Sequence, residues 1–235
     1  MGEYIPSAPV NEEAKKRNGN LPGMGGVFNY ANLHAYHYAG NNPVKYTDPD
    51  GRTNRPLEND EWVDVKKAVD LAVTNLDSII NELTDYASGA SQSISNEIVE
   101  NASHWLGINV NSKTKAQNFA NDLSKIRNKL ASLDINNFSW DDSLGERVAL
   151  ANSLTEHTKL APDFFVLPLQ GGLFTKSNTL VHEVSHFRSV LDTRDIVYDP
   201  NPSRRLVINS PQTAYKNADN WAFFYDGYVR ERQKR

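Results

Sequence analysis

Residues 179–187 read TLVHEVSHF and hold His182, Glu183 and His186 in the pattern His-Glu-x-x-His. On a helix, positions four apart stand on one face a turn apart, so the two imidazoles can converge on a single cation. Glu183 stands beside them, where a carboxylate can take a proton from a water activated by that cation. Chance alone places this pattern in a chain of such length on the order of once in a hundred. The flanks argue the same way. Leu180, Val181, Val184, Phe187, Val190 and Leu191 make the segment largely apolar, so its three polar groups are expected to be partly buried. Buried imidazoles and a buried carboxylate are costly without partners, and a metal ion supplies one.

Two histidines leave a catalytic zinc site short of its third protein ligand. An extension with glycine at 189 and histidine at 192 is missing, since the chain has Ser189 and Asp192. Glu231 is the only later glutamate and lies in the basic tail YVRERQKR. Asp192 falls off the shared face if the helix continues, whereas Asp195 could return on a loop beyond the helix end. The residues alone leave these carboxylates open as candidates.

The pattern is expected on a helix over 176–191, within a mainly helical region. EWVDVKKAVDLAVTNLDSIINELTDYA sets Trp62, Val65, Val69, Val73, Leu76, Ile79, Ile80 and Leu83 at helical spacing, with Gly89 near its end. Further helices are expected over 92–106 and 113–133, a fourth over 140–154, and a last one over 211–231 begun by Ser210-Pro211. DFFVLPLQGG reads as a short strand and turn. His104 and His157 have no motif around them and read as surface or capping positions.

Composition sets the bounds. The chain has 235 residues, enough for one sizeable core, and a net charge of −4, which does not advertise nucleic acid as a partner. With no cysteine, neither disulfides nor thiolate ligation are available. No run of about 18 apolar residues suggests membrane insertion, and no charged-then-apolar leader stands at the start. Residues 1–56 are rich in Gly, Asn, Pro and Tyr, while 57–235 carry the helical periodicity. The expected division is therefore a strand-and-turn segment, 1–56, followed by a folded domain, 57–235.

Within the first segment, YHYAGNNPVKYTDPDG (36–51) resembles the end of the repeat-associated core of RHS proteins, the secreted shells of bacterial polymorphic toxins. The resemblance implies that a variable toxin domain begins after this point. It also implies delivery to a target cell within a larger protein, with a cognate immunity protein as partner. Arg52 follows Gly51 where that family has an apolar residue, which bears on self-cleavage at the junction.

In the second segment, HEVSHF followed by DTRDIVYD resembles the deuterolysin, or aspzincin, metallopeptidases. Their pattern is His-Glu-x-x-His and then Gly-Thr-x-Asp-x-x-Tyr-Gly. Thr193, Asp195 and Tyr198 match the Thr, Asp and Tyr, while Asp192 and Asp199 replace the glycines. The resemblance implies an α+β, predominantly helical zincin-like fold, with His182, His186 and Asp195 as Zn2+ ligands. It further implies Glu183 as general base and Tyr198 as the donor that steadies the oxyanion. NSPQTAYKNADNWAFFYDGY (209–228) resembles the family's later helix, in which an Asp and a Glu line the pocket for a substrate lysine. Asp219 matches the Asp, and Ala222 stands at the Glu position, so lysine preference is expected to be weakened or altered. The expected function is a zinc endopeptidase acting on protein or peptide. The alternative is a non-catalytic binding or delivery module with a structural or vestigial zinc site.

Overall fold

The longest helix is fixed at both ends by local chemistry. The Glu61 carboxylate accepts the Glu58 backbone N–H at 2.8 Å while also pairing with Arg55 at 2.6 Å. At the other end Gly89 takes φ 88°, a left-handed close that glycine adopts without a Cβ penalty. Between them α1 runs Asn59–Ser88 and buries Val65, Val69, Leu76, Ile79 and Leu83 along the predicted stripe. The computed structural model describes residues 54–234. The RHS-like segment up to Arg52, the Gly51 junction and most of the 1–56 unit lie outside the described residues.

Helix α2 (Asn96–Asn101) continues through a π turn, Ala102–Leu106, and stops at Gly107. Helix α3 (Lys113–Ser132) starts at Ser112, whose hydroxyl accepts the Lys115 N–H, and lays Phe119, Leu123, Ile126 and Leu130 against α1. These three elements follow the helical spacing read from the sequence.

Residues 140–154 depart from it. They form no helix: β2 (Phe138–Asp141) and β3 (Ala149–Asn152) flank a turn, and β4 (His157–Leu160) completes the group. With β1 (Asn54–Pro56) the sheet order is β1-β2-β4-β3. Strand β4 pairs parallel to β2, with Ser139 opposite Lys159, and antiparallel to β3, with Leu150 opposite Lys159. The Asp-Asp-Ser-Leu-Gly run at 141–145 is turn chemistry that breaks the apparent periodicity. DFFVLPLQGG also differs, because α4 (Pro162–Val166) is a helical turn begun by Pro162. Its ring supplies the fixed φ of a first helical position and needs no N–H there.

Helix α5 (Lys176–Ser185) is shorter than the expected 176–191 and has His186 as its C-cap. Helix α6 (Pro200–Asn209) had no expected counterpart. The last predicted helix is two pieces, α7 (Pro211–Ala214) and α8 (Ala218–Gln233), because Asn217 between them is extended at φ −96°, ψ 124°. Helix α5 packs against α1, α3, α8 and β3. Trp221, Phe223, Phe224, Tyr225 and Tyr228 of α8 sit within 2% of full burial in the same core. Gly227 allows α8 to close on α2, since a Cβ there would lie 1.9 Å from Asn101 Oδ1. Among the described residues no helix is long and apolar enough to cross a membrane.

Candidate metal centre

Helix α5 carries the first two groups. The Thr175 hydroxyl accepts the Asn178 N–H at 3.2 Å, and the Asn178 amide oxygen accepts the Thr175 N–H at 3.0 Å, which anchors its start. The apolar side of α5 (Leu180, Val181, Val184) is fully buried, which turns His182 and His186 toward a cleft of about 750 Å³.

After His186 the chain turns back. The Thr193 N–H donates to Ser185 O at 3.2 Å, and the Thr193 and Ser185 hydroxyls meet at 2.7 Å in full burial. The turn needs Asp192 at φ 51°, a position the family pattern gives to glycine. Asp199, at the other glycine position, has φ 71° and ψ 156°. Both aspartates therefore take backbone that glycine takes freely. The loop returns Asp195 to the histidines.

His182 Nε2 and His186 Nε2 lie 3.2 Å apart, and each lies 3.2 Å from Asp195 Oδ1. These atoms form the one cluster of metal-ligating groups among the described residues. Ligands about 2.0–2.1 Å from a tetrahedral zinc are separated by roughly 3.3 Å, so the triangle has the edge length such an ion requires. The outer nitrogens support it: His186 Nδ1 donates to Thr193 O at 3.1 Å, and His182 Nδ1 faces Asp219 Oδ1 at 2.9 Å. Each outer bond fixes the tautomer whose Nε2 lone pair points inward. The donor set and geometry fit Zn2+.

The charges agree. Burial opposes protonation of His182, yet hydrogen bonds to Asp195 and Asp219 push it up to about 10. Burial would raise Asp195, but the two imidazoles hold it well below the usual carboxylate range. The carboxylates of Asp195 and Asp219 thus favour positive charge at the histidines, the charge a divalent ion would supply. Glu183 is 5% exposed, with Oε1 4.0 Å from His182 Nε2. Burial raises its carboxyl above the ordinary range, against the pull of the histidines and a hydrogen bond from the Ala151 backbone. Tyr198 is 55% exposed at the cleft, and burial followed by its neighbour Asp195, to which the phenol donates, raises its hydroxyl.

The remaining candidates separate. Asp192 borders the cleft outside the ligand cluster, and Glu231 lines a different cavity with Arg204 and His104. Asp219 lines the cleft, with Oδ1 on His182 and Oδ2 accepting the Asp199 N–H at 3.0 Å. Ala222 and Phe223 form the wall beside it. Sequence reasoning gave Asn217 no role, although it is fully buried and its Oδ1 accepts the Ile196 and Val197 N–H groups at 2.9 and 3.2 Å. It also missed the Val148–Ala151 wall, for which the turn residues at 141–145 were the available signal.

Comparison with known proteins adds four findings. A family model described as lysine-specific metallo-endopeptidase matches residues 86–226. The chain is 38% identical over 72 residues to an extracellular protease of Aeromonas hydrophila, covering 31% of this chain and 20% of that protein. It is 38% identical over 53 residues to a peptidyl-Lys metalloendopeptidase of Armillaria mellea, covering 23% and 15% respectively. The matched part is thus a fifth or less of each curated relative's length. A solved zinc peptidase from Grifola frondosa superposes with TM-score 0.52 at 20% identity, covering 72% of this chain and 96% of that one. That likeness concerns the fold, which is the expected α+β, mainly helical one.

Proposed function

This chain belongs to the lysine-specific metallo-endopeptidase family, and on that premise we propose that it is a zinc-dependent endopeptidase in which His182, His186 and Asp195 hold the metal. The strongest support is the 3.2 Å triangle of His182 Nε2, His186 Nε2 and Asp195 Oδ1 beside a buried Glu183. Bound zinc supplies Lewis acidity, activating a water and polarising the scissile carbonyl.

The protein's own groups do the rest. Glu183, with its carboxyl raised by burial, takes the proton of the attacking water and hands it to the leaving amine. Tyr198 swings its phenol from Asp195 to donate to the oxygen on which negative charge grows. Among the described residues strand β3 ends the sheet, and Val148 with Ala149–Ala151 of β3 lines the cleft, so an extended peptide can lie along this edge. Its position also holds Glu183 through the Ala151 backbone.

The biological setting rests on residues 36–51. We read the domain as the toxin or effector end of an RHS-type protein, delivered with that protein and restrained in the producing cell by an immunity protein. The test of the chemistry is Glu183→Gln in the zinc-loaded chain against unfolded protein substrates. Cleavage should fall by at least about a hundredfold, the ordinary worth of a general base, with zinc content unchanged. Equal rates for variant and parent would sink the assignment.

A further inference from the structure

We propose that Asp219 is a positioning residue of the metal centre rather than a receptor for a substrate ammonium, and that the cleft beside it prefers an apolar side chain. The second half rests on the endopeptidase reading; the first does not.

Both Asp219 oxygens have protein partners. Oδ1 is 2.9 Å from His182 Nδ1, and Oδ2 accepts the Asp199 N–H at 3.0 Å. Its side chain is 14% exposed. The residues just before it bind the same loop: Arg194 N–H donates to Lys216 O at 2.8 Å, Ala218 N–H to Arg194 O at 3.1 Å, and Asn217 holds the Ile196 and Val197 N–H groups. Asp219 ends this run and ties it to His182. One carboxylate therefore couples the loop that carries Asp195 to the imidazole that Asp195 must meet. An imidazole whose outer N–H is held by a carboxylate is fixed in tautomer and made a stronger ligand.

A substrate lysine would have to compete with His182 for that carboxylate. A second acid is missing from the position three residues on, where Ala222 forms part of the wall. Leu173, Phe174 and Phe223 line the cleft with it. An ammonium placed there would lose hydration without a dedicated partner, whereas an apolar side chain gains by leaving water. The carboxylates of Glu146 and Asp192 also border the cleft but are solvent-exposed, where pairing contributes little.

The test uses the full chain with Asp219→Asn and Asp219→Glu. Zinc affinity is read by chelator competition, the visible spectrum is read after cobalt substitution, and kcat and KM are read on peptides differing only in Lys or Leu at the cleaved bond. D219N should weaken zinc about 10–100-fold, shift the cobalt bands and lower kcat on both peptides with KM within about twofold. D219E, which keeps the carboxylate, should recover part of the zinc affinity, and the parent should favour the Leu peptide. Parental zinc affinity and cobalt spectrum in D219N, with KM raised on the Lys peptide alone, would overturn the proposal. So would D219E binding zinc no better than D219N. A parent that cleaves neither peptide, while zinc still weakens in D219N, removes the endopeptidase reading and leaves the positioning role standing.

Discussion

At the scale of single residues, the site is built around backbone that its side chains do not favour. Asp199 at φ 71°, ψ 156° occupies a region that is nearly glycine's alone and costs on the order of 1–3 kcal/mol. Asp192 at φ 51° is milder, since aspartate tolerates the left-handed region better than most residues. The strain persists because neighbours over-determine it: the Asp199 N–H is held by Asp219, and Asp192 N–H donates to Phe187 O at 3.2 Å. Asp199→Gly should therefore raise the melting temperature, by roughly 2–4 °C per kcal/mol relieved in a domain of this size. A thermal melt at or below the parent's would show that the Asp199 side chain contributes more than its backbone costs.

Elements decide how the two histidines and Asp195 reach each other. Had α5 run on to 191 as its apolar spacing suggests, the chain would have carried Asp192 and Asp195 away along the helix axis. It ends at Ser185 because Thr193 returns to take both the Ser185 carbonyl and its hydroxyl, contacts that periodicity does not encode. Asn217 does the matching work at the start of α8. Its Oδ1 takes two loop N–H groups, and its amide donates to Asn220 Oδ1 at 2.7 Å. Asn217→Ala leaves those N–H groups without an acceptor, at about 1–3 kcal/mol each when buried. It should lower thermal stability and weaken zinc together. An unchanged zinc affinity in a folded N217A protein would mean the loop is held without it. The same logic explains the misread 140–154 stretch: Trp140 pairs with Leu160, 20 positions away, and Ala149–Asn152 pair antiparallel with His157–Leu160, and this sheet pairing outweighs local spacing.

For the whole molecule, the centre draws on three separated parts of the fold: His182 and His186 on and after α5, Asp195 on the return loop, and Asp219 on α8. A ligand that binds only this assembled state stabilises the whole. Saturating zinc, at about a thousand times its Kd, should add roughly 4 kcal/mol and raise the melting temperature on the order of 10 °C. Asp195→Ala should remove most of that rise. A parent melt that zinc does not move would mean that the centre holds no structural quantity of metal. The sequence by itself determined what is local: the i, i+4 histidines with their glutamate, the apolar stripes of α1 and α3, and the glycines that end α1 and α2. Helical spacing and capping act over a few residues, so they are legible in order along the chain. The motif resemblance already pointed to Asp195; only the tertiary structure decided how it reaches the histidines, with Asp192 at the rim and Glu231 in another cavity, and which partners Asp219 takes. Those choices depend on where the chain returns after a turn and on which buried donors must be satisfied there, and both are properties of the folded core.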